Sequence, residues 1–368
     1  MSPSQSPEAL RAGAILTIDL DALVSNWRLF QDMAEQSGAI SGAVVKAAAY
    51  GLDVSRIAPA LLNAGCQTFF VATISEAIQL RAIIGPAPSI HVFCGFLDGT
   101  GPDFVTHNLV PVLNSLDQVT AWRDFDKTMP CDLHIDTGMA RLGLEISDVQ
   151  QLVGDLNIDI VLSHLVSAED SDAPINARQL TAFKSVLAQI KARRISLANS
   201  SGSFLGTDYH FDVLRPGVAL YGANPTPNKP NPMTQVIRLQ GRILQVRTLT
   251  NAQSVGYGST YQASVGAKIA TIAVGYADGF LRSLSNAGFV YFGEHKANIV
   301  GCVSMDLITV DVTNIPQALI LPGQMADLIG PNNPIDDVAD KAGTIGYELL
   351  TQLGTRYHRV YTGQTGKT

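Results

Sequence analysis

Lys46 is the first of several residues whose type and position could carry chemistry. It ends the run Gly42-Ala-Val-Val-Lys46, whose small and β-branched residues predict a buried strand, and Tyr50 follows four positions later. A lysine at a strand end can simply extend its amine to water. Alternatively, burial lowers the pKa of such an amine and makes it a Schiff-base nucleophile. The rest of the chain decides between these interpretations.

Other polar residues follow predicted strands, as expected of a barrel whose reactive groups gather at the carboxyl ends of its strands. These residues are Asp136, Arg141, His164, Asn199 and Ser200. Phosphate sites in such barrels use the loops around the last two strands. Here Asn199-Ser-Ser-Gly202 follows the seventh strand, and Arg215-Pro-Gly-Val218 leads into the eighth. An imine-forming lysine and a phosphate site on one rim indicate pyridoxal phosphate as the cofactor.

Eight β-rich runs alternate with helical stretches, which predicts an α/β fold with a (β/α)8 barrel of the TIM type. We place the strands at Ala43–Lys46, Phe69–Thr73, Ile90–Cys94, Val110–Leu113, Asp132–Asp136, Ile160–His164, Ile195–Ala198 and Val218–Tyr221. A capping-box pattern from Thr73 to Glu76 predicts a helix that ends at Gly85. Residues 177–191 have the periodicity of another helix.

A proline-rich connector, Asn224–Pro232, predicts the boundary to a mostly β C-terminal domain. Its strands are expected at Val236–Val246, Lys268–Ala273, Phe289–Phe292, Ala297–Val303 and Ile308–Val312. A strand over residues 15–20 could pair with this domain. We therefore expect the barrel over residues 14–232, the β domain over 233–362, and disordered tails at 1–13 and 363–368.

Composition narrows the function. The 368 residues suit two domains, and 46% hydrophobic with 15% charged residues is typical of a folded enzyme. A net charge of -7 argues against a nucleic-acid partner. No stretch has the length of a membrane-spanning helix and no secretion signal is evident, which predicts a cytoplasmic protein without a membrane partner. The cysteines and histidines lack metal-ligand spacing, so we expect no metal.

Taken together, the motifs resemble those of the alanine racemase family. They are Ile18-Asp-Leu-Asp-Ala22, Val45-Lys46-x-x-x-Tyr50-Gly51, Asp136-Thr-Gly-Met-x-Arg141-Leu-Gly143, Asn199-Ser200, Arg215-Pro-Gly217, Gly256-Tyr-Gly258, Gly275-Tyr-Ala-Asp-Gly279, Ser304-Met-Asp306 and Tyr347-Glu348. The resemblance implies a pyridoxal-phosphate-dependent isomerase that interconverts L-alanine and D-alanine, for peptidoglycan synthesis or for D-alanine degradation. It also implies a head-to-tail homodimer with active sites shared between subunits.

The same resemblance implies roles for individual residues. Lys46 and Tyr257 would be the two catalytic bases on opposite faces of the substrate, with Tyr257 supplied by the partner subunit. The cofactor-binding residues would be Lys46, Tyr50, His164, Ser200, Arg215, Gly217, Val218 and Tyr347. Substrate would contact Arg141 and Met305, with Tyr276 at the entrance. Positive charge from His164 and Arg215 is expected to favour the phenolate of Tyr257. Arg215 would face the pyridine nitrogen, and because guanidinium only donates hydrogen bonds, that nitrogen would stay unprotonated.

The chain departs from the family pattern at a few positions. His134 stands where many members carry a carbamylated lysine beside the substrate arginine, so Arg141 must be oriented by water, an anion or another side chain. The other departures are Ala48, Leu52, Ser196 and Ser304. They leave substrate preference and turnover open.

Three alternatives to an alanine racemase also stay open. A broad-specificity or serine racemase of the same fold is the nearest, because pocket residues set substrate size. A non-catalytic carrier of pyridoxal phosphate and a related decarboxylase are the others, although a carrier would not need the β domain or Tyr257.

Overall fold

The computed structural model describes residues 6–152 and 156–363 of the chain. Its helices are α1 Pro7–Arg11, α2 Leu20–Glu35, α3 Lys46–Tyr50, α4 Val54–Ala64, α5 Ile74–Ile84, α6 Gly101–Thr106, α7 Leu116–Asp126, α8 Pro174–Leu187, α9 Ile335–Ala342 and α10 Gly346–Gln352. Its strands are β1 Ala14–Asp19, β2 Ile40–Ser41, β3 Ala43–Val44, β4 Thr68–Val71, β5 Ser89–Val92, β6 Val110–Leu113, β7 Pro130–His134, β8 Asn157–Leu162, β9 Arg194–Ser196, β10 Val213–Leu214, β11 Ile237–Thr248, β12 Gln253–Val255, β13 Tyr261–Ala263, β14 Lys268–Ile272, β15 Phe289–Phe292, β16 His295–Asn298, β17 Ile308–Asp311, β18 Met325–Ile329 and β19 His358–Thr362. Across the described residues, no helix combines the length and the apolar character needed to cross a bilayer.

The chain divides into two compact units, one formed by Leu23–Leu220 with Asn224–Thr234 and the other by the remaining segments. In the first unit, β3 to β9 form a parallel sheet in chain order. The amide of Gly42 donates to Leu214 O at 2.9 Å, and the amide of Arg215 donates to Ala198 O at 3.0 Å. The segment containing β10 therefore joins β9 to the interrupted first strand, β2 and β3. The predicted eight-stranded barrel is confirmed.

The prediction of the eighth strand at Val218–Tyr221 is wrong. That segment is a 3-10 helix, and the eighth strand is Val213–Leu214. All four residues of the 3-10 helix are buried. A short apolar run has the same pattern in a buried strand as in a buried helix, so periodicity could not separate them.

The helix predicted from the capping-box pattern is confirmed as α5. Thr73 Oγ1 accepts the amide of Glu76 at 3.3 Å, and Glu76 Oε2 accepts the amide of Thr73 at 3.2 Å. The helix ends at Gly85, whose φ of 73° lies in the region that favours glycine. The helix predicted over residues 177–191 runs instead from Pro174 to Leu187, with proline at its start, where the missing N–H costs nothing.

A polar cluster lies inside the barrel. His91 Nδ1 contacts Asp132 Oδ2 at 2.6 Å with both side chains fully buried. Arg194 binds the Asp159 carboxylate through two bonds of 3.2 and 2.6 Å. The ligand atoms of His91, Asp132 and Asp159 lie within 4.8 Å of one another. Asp132 is thus hydrogen-bonded to His91 and Asp159 is paired with Arg194, so each carboxylate has a protein partner.

The second unit is built on a sheet with the strand order β16-β15-β18-β11-β1-β19, in which β14 pairs with β11 and β17. The first strand, β1, pairs antiparallel with β11 and parallel with β19, so the chain's N-terminal strand belongs to this unit. Within the stretch expected to be an N-terminal tail, residues 7–11 instead form α1, capped by Ser6. Arg242 donates to Ala9 O at 2.8 Å and Ala12 O at 3.0 Å, which holds this helix against β11. Residues 1–5 and 364–368 of the expected tails lie outside the described residues.

Candidate active site

Lys46 begins a turn of unusual handedness at the end of β3. The next four residues, Ala47 to Tyr50, have φ between 53° and 56°, so the backbone forms one left-handed turn. Such a conformation costs about 1–2 kcal/mol per residue for L-amino acids. Bonds from the amide of Gly51 to Ala47 O at 2.8 Å and of Asp53 to Ala48 O at 3.0 Å close the turn. Sequence patterns predicted the strand-end lysine but not this turn.

The amine of Lys46 is half-buried on the rim of the barrel. Burial lowers its pKa, the charge of Arg141 lowers it further, and the carboxylate of Glu76 acts in the opposite direction. The ring centroid of Phe93 lies 6.0 Å from the amine nitrogen. A lowered pKa increases the neutral fraction of the amine, which is the form that acts as a nucleophile or base.

Three of the residues predicted to bind phosphate meet on the same rim. Ser200 Oγ accepts the amide of Gly217 at 2.9 Å. A Cβ built on Gly217 would lie 2.4 Å from the hydroxyl oxygen of Tyr50, so only glycine allows this approach. Tyr50, Ser200 and Val218 are all buried. Hydroxyls and backbone amides gathered in a buried site are suited to binding an anion such as phosphate.

Arg215 is a buried cation held by neutral groups. Its guanidinium donates to the hydroxyl of Ser196 and to the carbonyls of Ser163 and Leu197. Burial lowers its pKa to about 10, so it remains charged at neutral pH. Ser196, one of the departures from the family pattern, therefore supports Arg215 directly.

His164 differs from the expectation that it supplies positive charge. Burial lowers its pKa to about 3, and the charges of Arg215 and Arg141 add to this effect. The ring is therefore neutral at physiological pH, and the predicted cationic role is wrong. A histidine among arginines loses its proton because a third positive charge would be repelled there.

The tautomer of His134 can be assigned from its partner. Asn114 Nδ2 donates to Phe93 O at 2.9 Å and Val112 O at 2.7 Å, which leaves Asn114 Oδ1 facing His134 Nδ1 at 2.8 Å. Nδ1 must carry the proton, and Nε2 is then an acceptor. Burial, with Arg215 and Arg141 nearby, lowers the pKa of His134 to about 4. A neutral acceptor thus occupies the position of the family's carbamylated lysine.

Arg141 lies in a loop held by Asp136. The carboxylate of Asp136 accepts the amides of Gly138, Met139 and Ala140, each at 2.8 Å. Arg141 is exposed, and within the described residues its guanidinium makes no hydrogen bond or ion pair. Its charge nevertheless acts on Lys46, His134 and His164. An exposed guanidinium of this kind can bind a carboxylate through two parallel hydrogen bonds.

The second unit carries the other predicted residues. Tyr257 is 74% exposed in a turn between Gly256 and Gly258, whose φ values are 76° and 70°. Tyr276 and Met305 lie in adjacent loops, since the amide of Tyr276 donates to Ser304 O and that of Ala277 to Met305 O, both at 3.0 Å. Tyr347 is 42% exposed in the first turn of α10.

Ion pairs hold the loops of Tyr276 and Met305 together. Arg356 binds Asp278 at 2.7 Å and Asp306 at 2.7 Å. Ser304, another departure from the family pattern, closes its turn by donating to Leu307 O at 2.7 Å. These contacts fix the backbone around Met305, whose amide has no acceptor among the described residues.

Sequence reasoning missed Asn114 and part of the role of Glu76. The capping-box pattern identified Glu76 as a helix-capping residue, but its bond to the amide of Ala47 joins residues 29 positions apart. No sequence signal pointed to Asn114, because its partner His134 is 20 positions away on another strand.

The two lowered histidine pKa values predict acid-sensitive stability. Between about pH 6.5 and 4 the unfolded chain binds protons at His134 and His164 that the folded chain does not, so stability falls as pH falls through this range. His134→Gln should remove on the order of 2 kcal/mol of this pH dependence. Denaturant unfolding at pH 7, 6 and 5 measures the pH dependence of the free energy of unfolding. His295→Gln, at an exposed histidine, is the control and should match the wild-type slope; equal slopes in all three proteins would contradict the prediction.

Comparisons with known proteins agree with this arrangement. A model of the alanine racemase N-terminal domain matches residues 18–225, and a model of the C-terminal domain matches residues 236–361. Alanine racemase of Rhodospirillum rubrum is 44% identical over 363 residues, covering 96% of this chain and 97% of the relative. A catabolic alanine racemase of Mesorhizobium japonicum is 42% identical over 362 residues, with 96% and 94% covered.

The fold agrees as well. The solved structure of alanine racemase from Bartonella henselae with covalently bound pyridoxal phosphate has a TM-score of 0.91 and 41% identity, and the match covers 95% of this chain and 100% of that one. Both halves of the chain match in order and over nearly their whole length. The chain belongs to the alanine racemase family, as its motifs predicted.

Proposed function

We propose that this protein is a pyridoxal-phosphate-dependent racemase that interconverts L-alanine and D-alanine. Family membership across both domains supports this activity. The structural observation that carries it is the barrel rim, where the strained turn beginning at Lys46 ends at Tyr50, beside Gly217 and the buried anion site.

The residues on the rim fit the cofactor. When bound, pyridoxal phosphate withdraws electrons from the substrate α-carbon and makes its proton acidic. Lys46 would attach it covalently, as in the Bartonella relative. Its phosphate would be held by Tyr50, Ser200 and the amides of Gly217 and Val218. The phosphate-binding role of Tyr347, in the second unit, rests on the family resemblance alone. His164 would pack beside the ring as a neutral imidazole.

Arg215 would determine the protonation state of a pyridine nitrogen that faces it. Because its guanidinium stays charged and only donates hydrogen bonds, a pyridine nitrogen facing it must accept. Electron withdrawal by the ring is then limited. We infer that Arg215 restricts side reactions such as transamination.

Two bases would exchange the α-proton on opposite faces of the substrate. Lys46 holds one position on the barrel. We assign the other to Tyr257 of the partner subunit, because its exposed ring projects from the second unit. Since His164 is neutral, the positive charge beside it comes from Arg215 and Arg141.

The substrate-binding roles of Arg141, Met305 and Tyr276 follow from the family resemblance. Arg141 would bind the carboxylate, and the amide of Met305 would donate a further hydrogen bond. Tyr276 would line the entrance. The exposed side chains of Tyr257, Tyr276 and Met305, at 74%, 44% and 53%, support a head-to-tail homodimer in which a partner covers them.

Gly217→Ala tests the phosphate site. Its backbone lies outside the left-handed region, so alanine is tolerated there except for the clash with the Tyr50 hydroxyl. We expect cofactor affinity to fall about tenfold or more as the phosphate site is deformed. Measuring the cofactor dissociation constant in Gly217→Ala, Tyr50→Phe and the double variant separates the contributions. If the clash with the Tyr50 hydroxyl causes the loss, the double variant loses less cofactor-binding free energy than the two single variants lose in sum. Additive losses would contradict this explanation.

The function is tested with a panel of amino acids. Wild-type enzyme should racemise alanine with a higher kcat/KM than serine, lysine or arginine, and should exchange the alanine α-proton in deuterated water. Equal or higher values for another amino acid would favour a broad-specificity or serine racemase. Release of carbon dioxide would indicate a decarboxylase. The absence of both α-proton exchange and carbon dioxide release would indicate a carrier. The metabolic role, in peptidoglycan synthesis or D-alanine degradation, and the cytoplasmic location stay predictions.

A further inference from the structure

Glu76 contacts the turn that carries Lys46 from outside. Its Oε1 accepts the amide of Ala47 at 2.8 Å, and its Oε2 accepts the amides of Ala72 at 2.8 Å and Thr73 at 3.2 Å. Ala47 follows β3, whereas Ala72 and Thr73 follow β4. One carboxylate in the first turn of α5 therefore joins the ends of two neighbouring strands.

The same device recurs around the barrel with glutamine. Gln118 in α7 accepts the amide of Asn114 at 2.9 Å and donates to Cys94 O at 3.4 Å, joining the segments after β5 and β6. Gln179 in α8 accepts the amide of Val166 at 3.0 Å and donates to His164 O at 2.9 Å, which lie after β8. It also donates to Thr137 Oγ1 at 3.1 Å, after β7. We call each of these contacts, in which one helical side chain hydrogen-bonds the segments after two neighbouring strands, a clamp. The clamps join β3 to β4, β5 to β6 and β7 to β8.

The chemistry of each clamp follows from the groups it meets. Gln118 and Gln179 each face an amide and a carbonyl, so an acceptor and a donor are both required. Glu76 accepts three backbone amides. A carboxylate only accepts and has two oxygens, so it matches these donors, whereas a glutamine there would set its NH2 group against an N–H. Glutamate therefore matches the groups around position 76 better than glutamine would.

The turn needs this support because its backbone is strained. The residues from Ala47 to Tyr50 are all left-handed and none is glycine, and such conformations persist only when surrounding contacts hold them. Ala47 is the first of them, adjacent to Lys46. Tyr50, at the other end, reaches the phosphate site beside Gly217. Movement of this turn would displace both the amine and the hydroxyl.

We propose that Glu76 is a positioning residue for racemisation, whose carboxylate holds the left-handed turn so that Lys46 and Tyr50 keep their places on the rim. This proposal rests on the proposed role of Lys46 as the cofactor-binding base. The negative charge of Glu76 has a second effect, because it opposes the lowering of the Lys46 pKa. Geometry and charge can be separated by substitution.

The experiment compares Glu76→Gln, Glu76→Asp and Gln179→Glu in the full-length, cofactor-loaded enzyme. Hydrogen exchange at the amides of Ala47 and Ala72 reports the clamp, and a pH titration of the absorbance of bound cofactor reports the charge near Lys46. Steady-state kinetics with alanine report the consequence. Gln179→Glu is the control for exchange at Ala47, since it sets an acceptor against the His164 carbonyl and breaks contacts that do not involve the Lys46 turn.

Glu76→Gln should accelerate exchange at both amides, move the titration midpoint lower by on the order of one pH unit, and reduce kcat by up to about 100-fold with little change in KM. Glu76→Asp keeps the charge but has a shorter reach, so it should accelerate exchange while leaving the midpoint near wild type. Gln179→Glu should lower thermal stability and leave exchange at Ala47 unchanged.

One result would overturn the proposal. If Glu76→Gln leaves exchange at Ala47 and the titration midpoint unchanged, Glu76 is merely structural, whether or not thermal stability falls as it does in Gln179→Glu. Exchange at Ala47 is measured without any turnover. Failure of wild type to racemise alanine would therefore count against the proposed function, and the exchange result would still decide the role of Glu76.

Discussion

Lys46→Ala should abolish racemisation in both directions, with kcat reduced by more than about 10⁴-fold. The variant loses the amine that attaches the cofactor and the base on one face of the substrate, and each role contributes orders of magnitude. The fold should survive, because the half-buried side chain lies on the rim and the strained backbone begins at the next residue. The measurements are turnover from L-alanine and from D-alanine, and the absorbance of cofactor after removal of excess.

Two further variants serve as comparisons for Lys46→Ala. Lys46→Arg keeps the positive charge but offers no amine for covalent attachment, so it should be as inactive as Lys46→Ala. Lys184→Ala removes an exposed lysine from α8 and should behave as wild type. Substantial turnover or covalent cofactor in Lys46→Ala would remove Lys46 from its assigned role, and with it the basis of the mechanism.

Tyr257→Phe should retain covalent cofactor but lose turnover by about 10²–10⁴-fold, because only one face of the substrate keeps a base. The ring itself is preserved and is 74% exposed in the single subunit, so the substitution should not disturb folding. Kinetics from each enantiomer measure the loss. Near-wild-type activity would eliminate Tyr257 as a base.

A hybrid experiment tests whether Tyr257 acts in the partner's site. In a head-to-tail dimer, pairing Lys46→Ala with Tyr257→Phe creates one site with both residues intact and one with neither. Refolding an equal mixture of the two variants should restore about one quarter of wild-type activity, since about half of the dimers are hybrids with one intact site of two. An inactive mixture, with hybrid formation verified by differently tagged subunits, would place both residues in the same subunit.

Local signals predicted the elements that local physics controls. The capping box of Thr73 and Glu76 predicted the start of α5, because its bonds lie within four residues. The strand that ends near Lys46 was predicted from its small and β-branched residues. Where an apolar run was buried on all sides, as in Val218–Tyr221, periodicity gave no distinction and the eighth strand was misplaced.

Charge states could not be predicted from residue types. His164 was expected to be cationic, but the structure surrounds it with Arg215 and Arg141 and burial lowers its pKa to about 3. His134 was identified as a departure from the family, yet its neutral tautomer follows from Asn114, whose amide is oriented by two carbonyls. Desolvation and neighbouring charge depend on distances between strands, and a linear motif does not specify those distances.

The sequence by itself determined the order of reactive residues, the alternation that builds a barrel and a β domain, and the family to which they point. It predicted Lys46 as a reactive amine and identified Glu76 as the cap of a helix. Only the tertiary structure brought Glu76 Oε1 to the amide of Ala47 and forced four residues into a left-handed turn. The physical reason is that helices and strands arise from contacts close in sequence, whereas strain, burial and pKa arise from contacts between segments that meet only after folding.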